Sequence, residues 1–327
     1  MNLPEPPQTS RTSWRPWKSE YFTLVSILIV AVAFGTLSNE YFLSADNLHT
    51  LLTNFFVELA IVTVGQTLVI LVRGIDLSVG GTAALSATAI GFFHTQGINI
   101  WVALALGLLV GTSCGFLNGC LVTSFRTPPM IATLGSGLLF LGITKGVTGG
   151  RPYSDFPASF QALGQGTIGP VPIQLVILIA VGLLVHIVLT WTRHGRAVYA
   201  IGGNPVAARF SGIRVNATIV ALYTASGLLA GLTGAILAAR LLAAGPLLAI
   251  GMELGSITAA LLGGVSITGG IGTVAQALLG MLVIAILRST MTLLAITHTV
   301  QQTVIAFLLI VIVVVEMVLG KKRNEVE

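Results

Sequence analysis

Residues 101–123 read W-V-A-L-A-L-G-L-L-V-G-T-S-C-G-F-L-N-G-C-L-V-T, a run without one charged side chain. A helix rises about 1.5 Å per residue, so the run is long enough for the ~30 Å hydrocarbon layer of a bilayer. Gly107, Gly111, Gly115 and Gly119 recur in it at every fourth position, which on a helix sets them along one stripe. Such a stripe admits a neighbouring backbone at close range and serves either tight packing or a moving helix pair. The only cysteines, Cys114 and Cys120, sit in the same run and read as packing residues rather than a disulfide or metal pair.

Apolar runs of the same kind extend in both directions. Spans are expected near 21–37, 51–72, 79–94, 101–123, 130–147, 173–191, 217–239, 254–267, 273–289 and 300–319, the eighth short enough to be partly re-entrant. The chain is 54% hydrophobic and 8% charged, with mean hydropathy +0.95. Soluble domains carry about 25% charged residues, so these charges are too few to cover a soluble surface. The fold class is therefore an all-α polytopic membrane protein of about ten transmembrane helices. The first run follows Arg11, Arg15 and Lys18, as a signal peptide's would, but lacks a small-residue cleavage site and reads as an uncleaved span.

A net charge of +5 raises the question of a nucleic-acid partner, and the placement of the charges answers it. The basic residues cluster at the ends of apolar runs, which is an orientation signal. With the amino terminus in the cytoplasm, the inside segments hold Arg11, Arg15, Lys18, Arg73, Arg126, Arg193, Arg196, Arg209, Arg214, Lys321, Lys322 and Arg323. Outside loops contribute Arg151, with Lys145, Arg240 and Arg288 near span ends. This asymmetry gives a cytoplasmic tail at 1–20, a transmembrane domain at 21–320 and a cytoplasmic tail at 321–327, both termini inside.

A short repeat is visible across the chain. Gly74-Ile75-Asp76-Leu77 is followed by Thr82-Ala83-Ala84-Leu85, and Gly251-Met252-Glu253-Leu254 by Thr258-Ala259-Ala260-Leu261. The two copies open spans from opposite sides, which points to two inverted five-helix halves, about 21–147 and 173–320. Asp76 stands just before the span containing Ser78 and Gly80; it serves as a helix cap or as part of an inner gate together with Gly74 and Ser78.

The absences carry weight. There is no phosphate-binding loop, since the glycine-rich stretch Gly263-Gly264…Gly269-Gly270-Ile271-Gly272 lacks the lysine that reaches a nucleotide. No metal-binding pattern or assembled catalytic set appears, so neither a cofactor nor an enzyme activity is expected on this chain. The polar segment 193–216 contains Asn204-Pro205, a helix cap followed by a first-turn proline, and Gly212, a helix-ending glycine. A short helix 205–211 outside the membrane fits a partner's groove, or the segment is a solvated loop that only sets topology.

Three stretches together resemble the ribose-type monosaccharide ATP-binding cassette permeases, within the branched-chain amino acid/ribose permease superfamily. They are G-I-D-L-S-V-G at 74–80, G-R-A-V-Y-A-I-G-G-N-P-V-A-A-R-F-S-G-I at 195–213, and the run from Glu253-Leu254 through Leu262-Gly263-Gly264-Val265-Ser266 to Gly269-Gly270-Ile271-Gly272-Thr273. The likeness covers nearly the whole chain after residue 20, in order and at matching spacing. It implies a permease that moves a monosaccharide or sugar-like solute across the bacterial cytoplasmic (inner) membrane by alternating access. It further implies a second permease copy or paralogue, a periplasmic or extracellular sugar-binding protein, and a separate ATPase with two fused nucleotide-binding domains that carries the ATP and magnesium. Gly203, Asn204, Ala207, Ala208, Ser211 and Gly212 would form the helix engaging that ATPase. The pattern A-A-x-x-x-G is similar to the E-A-A-x-x-x-G loop of many such importers, with Val206 in place of the glutamate.

Family members similar to ribose permeases often carry asparagine near the end of the ninth span, where this chain has Arg288. Arg288 either snorkels at the membrane boundary or joins Glu58, Lys145, Arg240 and Glu253 in a charged outer vestibule that docks the binding protein. The preference for docking over solute binding comes from the resemblance. The alternatives are a related permease for a branched-chain amino acid or nucleoside, and an ion-coupled secondary carrier. The latter needs a charged midplane site, and apart from His186 the span centres look free of charge.

Overall fold

The computed structural model describes residues 20–324. Arg11, Arg15 and Lys18 lie outside the described residues, as do the side chains of Lys321, Lys322 and Arg323 and the chain after residue 324. In chain order the helices are α1 Glu20–Ser38, α2 Ala45–Leu71, α3 Val79–Thr95, α4 Ile100–Thr123, α5 Pro129–Thr148, α6 Ala158–Gln165, α7 Ile173–Trp191, α8 Arg193–Gly203, α9 Pro205–Phe210, α10 Val215–Leu241, α11 Met252–Leu262, α12 Val274–Leu293 and α13 His298–Asn324. A two-residue hairpin, β1 Thr167–Ile168 and β2 Val171–Pro172, precedes α7.

Every segment expected to span coincides with a helix. Seven of these helices (α2, α4, α5, α7, α10, α12 and α13) are long and apolar enough to cross a membrane. Their ends follow local chemistry. The Ser44 Oγ accepts from Asn47 N at the start of α2, and the Asn99 side chain accepts from Trp101 N at the start of α4. The α5 helix opens on Pro129 and closes on Gly149, whose φ of 58° is the left-handed ending that glycine allows. The eighth span is shorter than expected: α11 stops at Leu262 instead of running to 267. Gly263 packs on the backbone of Gln276 and Ala277, and Gly264 takes φ 89°, so the helix cannot continue.

The helix α2 is the axis of the fold. From Val57 to Leu71 every side chain is buried, the pattern of a helix enclosed on all sides. The glycine stripe of α4 does pack: a Cβ on Gly111 would lie 2.8 Å from the Gly227 carbonyl oxygen, and one on Gly227 would lie 2.7 Å from the Gly115 Cα. The α4 and α10 backbones therefore touch directly. Cys114 and Cys120 are free thiols. Leu109, Leu139, Leu184 and Phe307 stand on exposed outer faces, the surface a lipid-facing bundle presents.

Candidate functional site

The segment 72–78 joins α2 to α3 as non-helical backbone buried among helices. Such backbone is tolerated at depth only where neighbouring groups satisfy it. Arg73 has φ 65°, and a Cβ on Gly74 would come within 2.6 Å of the Tyr223 hydroxyl, so the turn there requires glycine. Thr133 Oγ1 accepts from Leu77 N at 3.0 Å and donates to Ile75 O at 3.1 Å. The Gln66 carboxamide, with its nitrogen donating to Asp76 O and its oxygen accepting from Asp76 N, pairs with that peptide at 3.1 Å on both sides.

Asp76 is 1% exposed. Its Oδ1 accepts from Ser78 N at 2.9 Å and Ser78 Oγ at 2.6 Å, and its Oδ2 accepts from Ser226 Oγ at 3.3 Å. Asn118 Nδ2 donates to Ser78 Oγ at 2.7 Å. The expectation that Asp76 caps α3 needs correction: the cap position belongs to Ser78, and the carboxylate bonds Ser78 itself rather than the first helical amides. It is a lock that ties the α2–α3 segment to α4 and α10.

The second sequence copy lies across a cavity from the first. Gly251, at φ 83°, opens α11, and Glu253 stands in its first turn. A Cβ on Gly80 would lie 2.8 Å from Ala249 O and 2.5 Å from Glu253 Oε2. The cavity measures about 280 Å³ and is walled by Leu77 and Gly80 from α3's start, Gly137 and Leu138 from α5, and Ala249 and Glu253 from α11's start. Glu253 is its one charged lining residue, so the cavity offers apolar walls and a single strong hydrogen-bond acceptor. The separate copies were legible in the sequence; the contribution of α5 carries no sequence signal.

At one end of the bundle, segment 193–216 folds as two helices rather than one. Asn204 Oδ1 accepts from Val206 N and Ala207 N at 3.0 Å each, and Pro205 takes the first helical position. The α9 helix ends one residue before the expected boundary, at Phe210. Gly212 N donates to Arg209 O and Ile213 N to Ala208 O, both at 3.1 Å, with Gly212 at φ 79°. Gly203, Asn204, Ala207, Ser211 and Gly212 are exposed, but Ala208 is only 4% exposed and turns into the core. The exposed large apolar side chains on α9 are Val206 at 63% and Phe210 at 89%, four residues apart on one face, and neither belonged to the expected set.

The five charges expected to ring an outer vestibule come from five helices, α2, α5, α10, α11 and α12, and two of them pair. Glu58 and Arg240 neutralise each other: Arg240 Nε donates to Oε1 at 2.6 Å and Nη2 to Oε2 at 3.0 Å. Arg240 Nη1 also donates to Asn54 Oδ1 at 3.0 Å. Asn54 lies in a π turn, Leu51–Phe56, that interrupts α2 just ahead of Glu58. Lys145 is exposed in the last turn of α5, Glu253 faces the cavity, and Arg288 lies half-buried on α12 near Gly255. A second, polar cavity of about 340 Å³ borders the Glu58–Arg240 pair, lined among others by His49, Thr53, Asn54, Gln165 and Gln174.

Residues 47–314 match the family described as branched-chain amino acid transport system / permease component, and the chain belongs to that family. It is accordingly an all-helical, multi-span membrane protein and a transport permease. The ribose import permease protein RbsC of Escherichia coli strain K12 is 37% identical over 92% of this chain and 95% of its own length. The D-allose transport system permease protein AlsC of the same strain is 34% identical over 92% and 93%. The autoinducer 2 import system permease protein LsrC of Yersinia enterocolitica is 33% identical over 83% and 75%. No solved structure matches the chain.

Proposed function

We propose that this chain is the membrane subunit of an ATP-binding cassette importer, passing a monosaccharide or sugar-like solute inward by alternating access. The observation that carries the reading is the cavity between the two sequence-similar segments, with Glu253 as its single charged group. A carboxylate among apolar walls accepts hydrogen bonds from a hydroxyl-bearing ring without holding it tightly. Relatives named for ribose and allose import cover more than nine-tenths of the chain, which favours a sugar over an amino acid.

The finer architecture belongs to the same proposal. Ten spans form two inverted halves, 21–147 and 173–320, with both termini and the arginine-bearing α8–α9 end in the cytoplasm of a bacterial inner membrane. A separate ATPase with two fused nucleotide-binding domains carries the ATP and magnesium and receives α9. Val206 and Phe210 are its contacts, and Asn204, Gly203 and Gly212 set the helix. A second permease copy or paralogue and a periplasmic or extracellular sugar-binding protein complete the system. Lys145 is the charge of the expected vestibule best exposed for that docking.

Proteoliposomes containing the chain alone should take up no radiolabelled ribose or allose, whereas adding the ATPase, the binding protein and ATP should give uptake. Uphill uptake driven by a sodium or proton gradient without any ATPase would overturn the assignment.

A further inference from the structure

Arg73 connects three segments that are distant in sequence. It lies at the end of α2, one residue before Gly74, in the left-handed conformation. Its Nε donates to Gly202 O at 2.7 Å and its Nη2 to Gly203 O at 2.5 Å. These are terminal carbonyls of α8, which have no partner within their own helix, and a cation is favoured at that end. The rigid planar fork of the guanidinium reaches both at once, whereas an ammonium on a flexible stem is not pre-organised to do so.

The glycine-rich turn after α11 closes the same junction. Gly270 N donates to Leu71 O at 2.9 Å, and Tyr199 of α8 donates its hydroxyl to Gly272 O at 2.9 Å. Gly202 has no room for a Cβ, because the Leu71 carbonyl and the Gly270 amide fill that space. A Cβ on Gly270 would lie 2.8 Å from Gly203 N. Three backbones thus meet at glycines, and the Arg73 guanidinium and the Tyr199 hydroxyl bridge the contact.

We propose that Arg73 is a positioning residue that carries a displacement of α9 to the Asp76 segment and thereby to the cavity. The inference rests on the reading that α9 receives the ATPase. On one side of the guanidinium, Gly203 is followed directly by Asn204, the residue that caps α9. On the other, Arg73 is followed by Gly74, whose N donates to Val69 O at the end of α2, and then by Ile75 and Asp76, whose peptide groups are held by the side chains of Thr133 and Gln66. A push on α9 therefore reaches, through two charge-assisted hydrogen bonds, a segment whose peptides beyond Gly74 are held by side chains rather than by a helical ladder. Arg73 in αL turns the chain at that segment's first residue.

The test has two arms and uses Arg73→Asn and Arg73→Lys. Asparagine tolerates the left-handed backbone but lacks the fork, so it removes the link without straining the turn. In the first arm, hydrogen exchange is followed on the chain alone in lipid nanodiscs. In Arg73→Asn the amides of Gly74, Leu77 and Ser78 should exchange about tenfold faster together with those of residues 203–211, as expected when charge-assisted hydrogen bonds across one cooperative unit are lost. Arg73→Lys should fall between. Faster exchange confined to 203–211 would overturn the proposal, because Arg73 would then only cap α8. In the second arm, ATP hydrolysis and solute uptake are measured together in proteoliposomes with the ATPase and binding protein. Hydrolysis should persist in Arg73→Asn while the solute moved per ATP falls about tenfold, the change a 1.4 kcal/mol shift produces. A proportional fall in both would overturn it. Failure of the native chain to show ATP-dependent uptake would instead refute the proposed function, and the exchange arm would still decide the link.

Discussion

Removing Arg240 should destabilise the fold far more than removing Glu58, although the two form one ion pair. The Glu58 side chain is 4% exposed and sits in the fully enclosed part of α2, while that of Arg240 is 19% exposed in the last turn of α10. Arg240→Ala leaves a buried carboxylate that loses both forked hydrogen bonds, and Asn54 loses its donor as well. Breaking a buried pair from one side costs about 3–5 kcal/mol because the remaining charge has no compensation. Glu58→Gln keeps an oxygen that accepts from the guanidinium, and Arg240 retains Asn54, the negative end of its helix and a partial route to solvent. That change should cost about 1–2 kcal/mol, in the range of a charged hydrogen bond. At roughly 2 °C per kcal/mol, Arg240→Ala should melt about 6–10 °C below the native protein and Glu58→Gln about 2–4 °C below. Replacing both by apolar residues, Glu58→Leu with Arg240→Met, should recover most of the loss, since well-packed apolar pairs substitute for buried ion pairs at little cost. Melting of the purified protein in detergent, followed by intrinsic fluorescence, measures all three. A Glu58→Gln loss equal to that of Arg240→Ala, or a double variant as unstable as Arg240→Ala, would refute the reasoning.

Three further outcomes follow from packing. Gly227→Ala forces a methyl against the Gly115 Cα and should lower the melting temperature by about 2–6 °C, the cost of overpacking; Gly135→Ala, on a face with no atoms within 4 Å, should leave it level or raised. Ala208→Lys should reduce melting temperature and membrane yield together because Ala208 is buried, whereas Phe210→Ser should leave melting unchanged and abolish co-purification of the ATPase. Leu138→Trp adds bulk at the mouth of the 280 Å³ cavity from an exposed position, so uptake should fall while melting stays within the ~0.5 kcal/mol range of surface changes.

Features of the fold that depend on neighbouring residues were legible in the sequence. The α9 helix follows from Asn204, Pro205 and Gly212 because capping and helix ending are settled within a few residues. The α4 stripe announced a close backbone contact because four glycines at helical spacing have few other uses, though nothing in it named α10 as the partner. Long-range pairing was not legible. Glu58 and Arg240 lie 182 residues apart, and each alone looks like an available charge. Ala208 was chosen from a pattern of residue types, and its burial depends on how α9 sits against the bundle. The π turn at Leu51–Phe56 has no compositional mark, and α6 and α8 lie in segments whose polarity reads as loop.

Gln66 gives the two related segments unequal mechanical footing. Its carboxamide stands where a neighbouring peptide would in a sheet, gripping both the donor and the acceptor of Asp76. The first segment is therefore clamped to the central helix at a point, and Thr133 and Ser226 hold it from two other sides. The second segment starts on a left-handed glycine with no side-chain cap, and its carboxylate lies against Gly80 at the edge of the cavity. The first segment is held as one piece whose contacts run to three helices, so any displacement it receives passes to α2, α5 and α10 together.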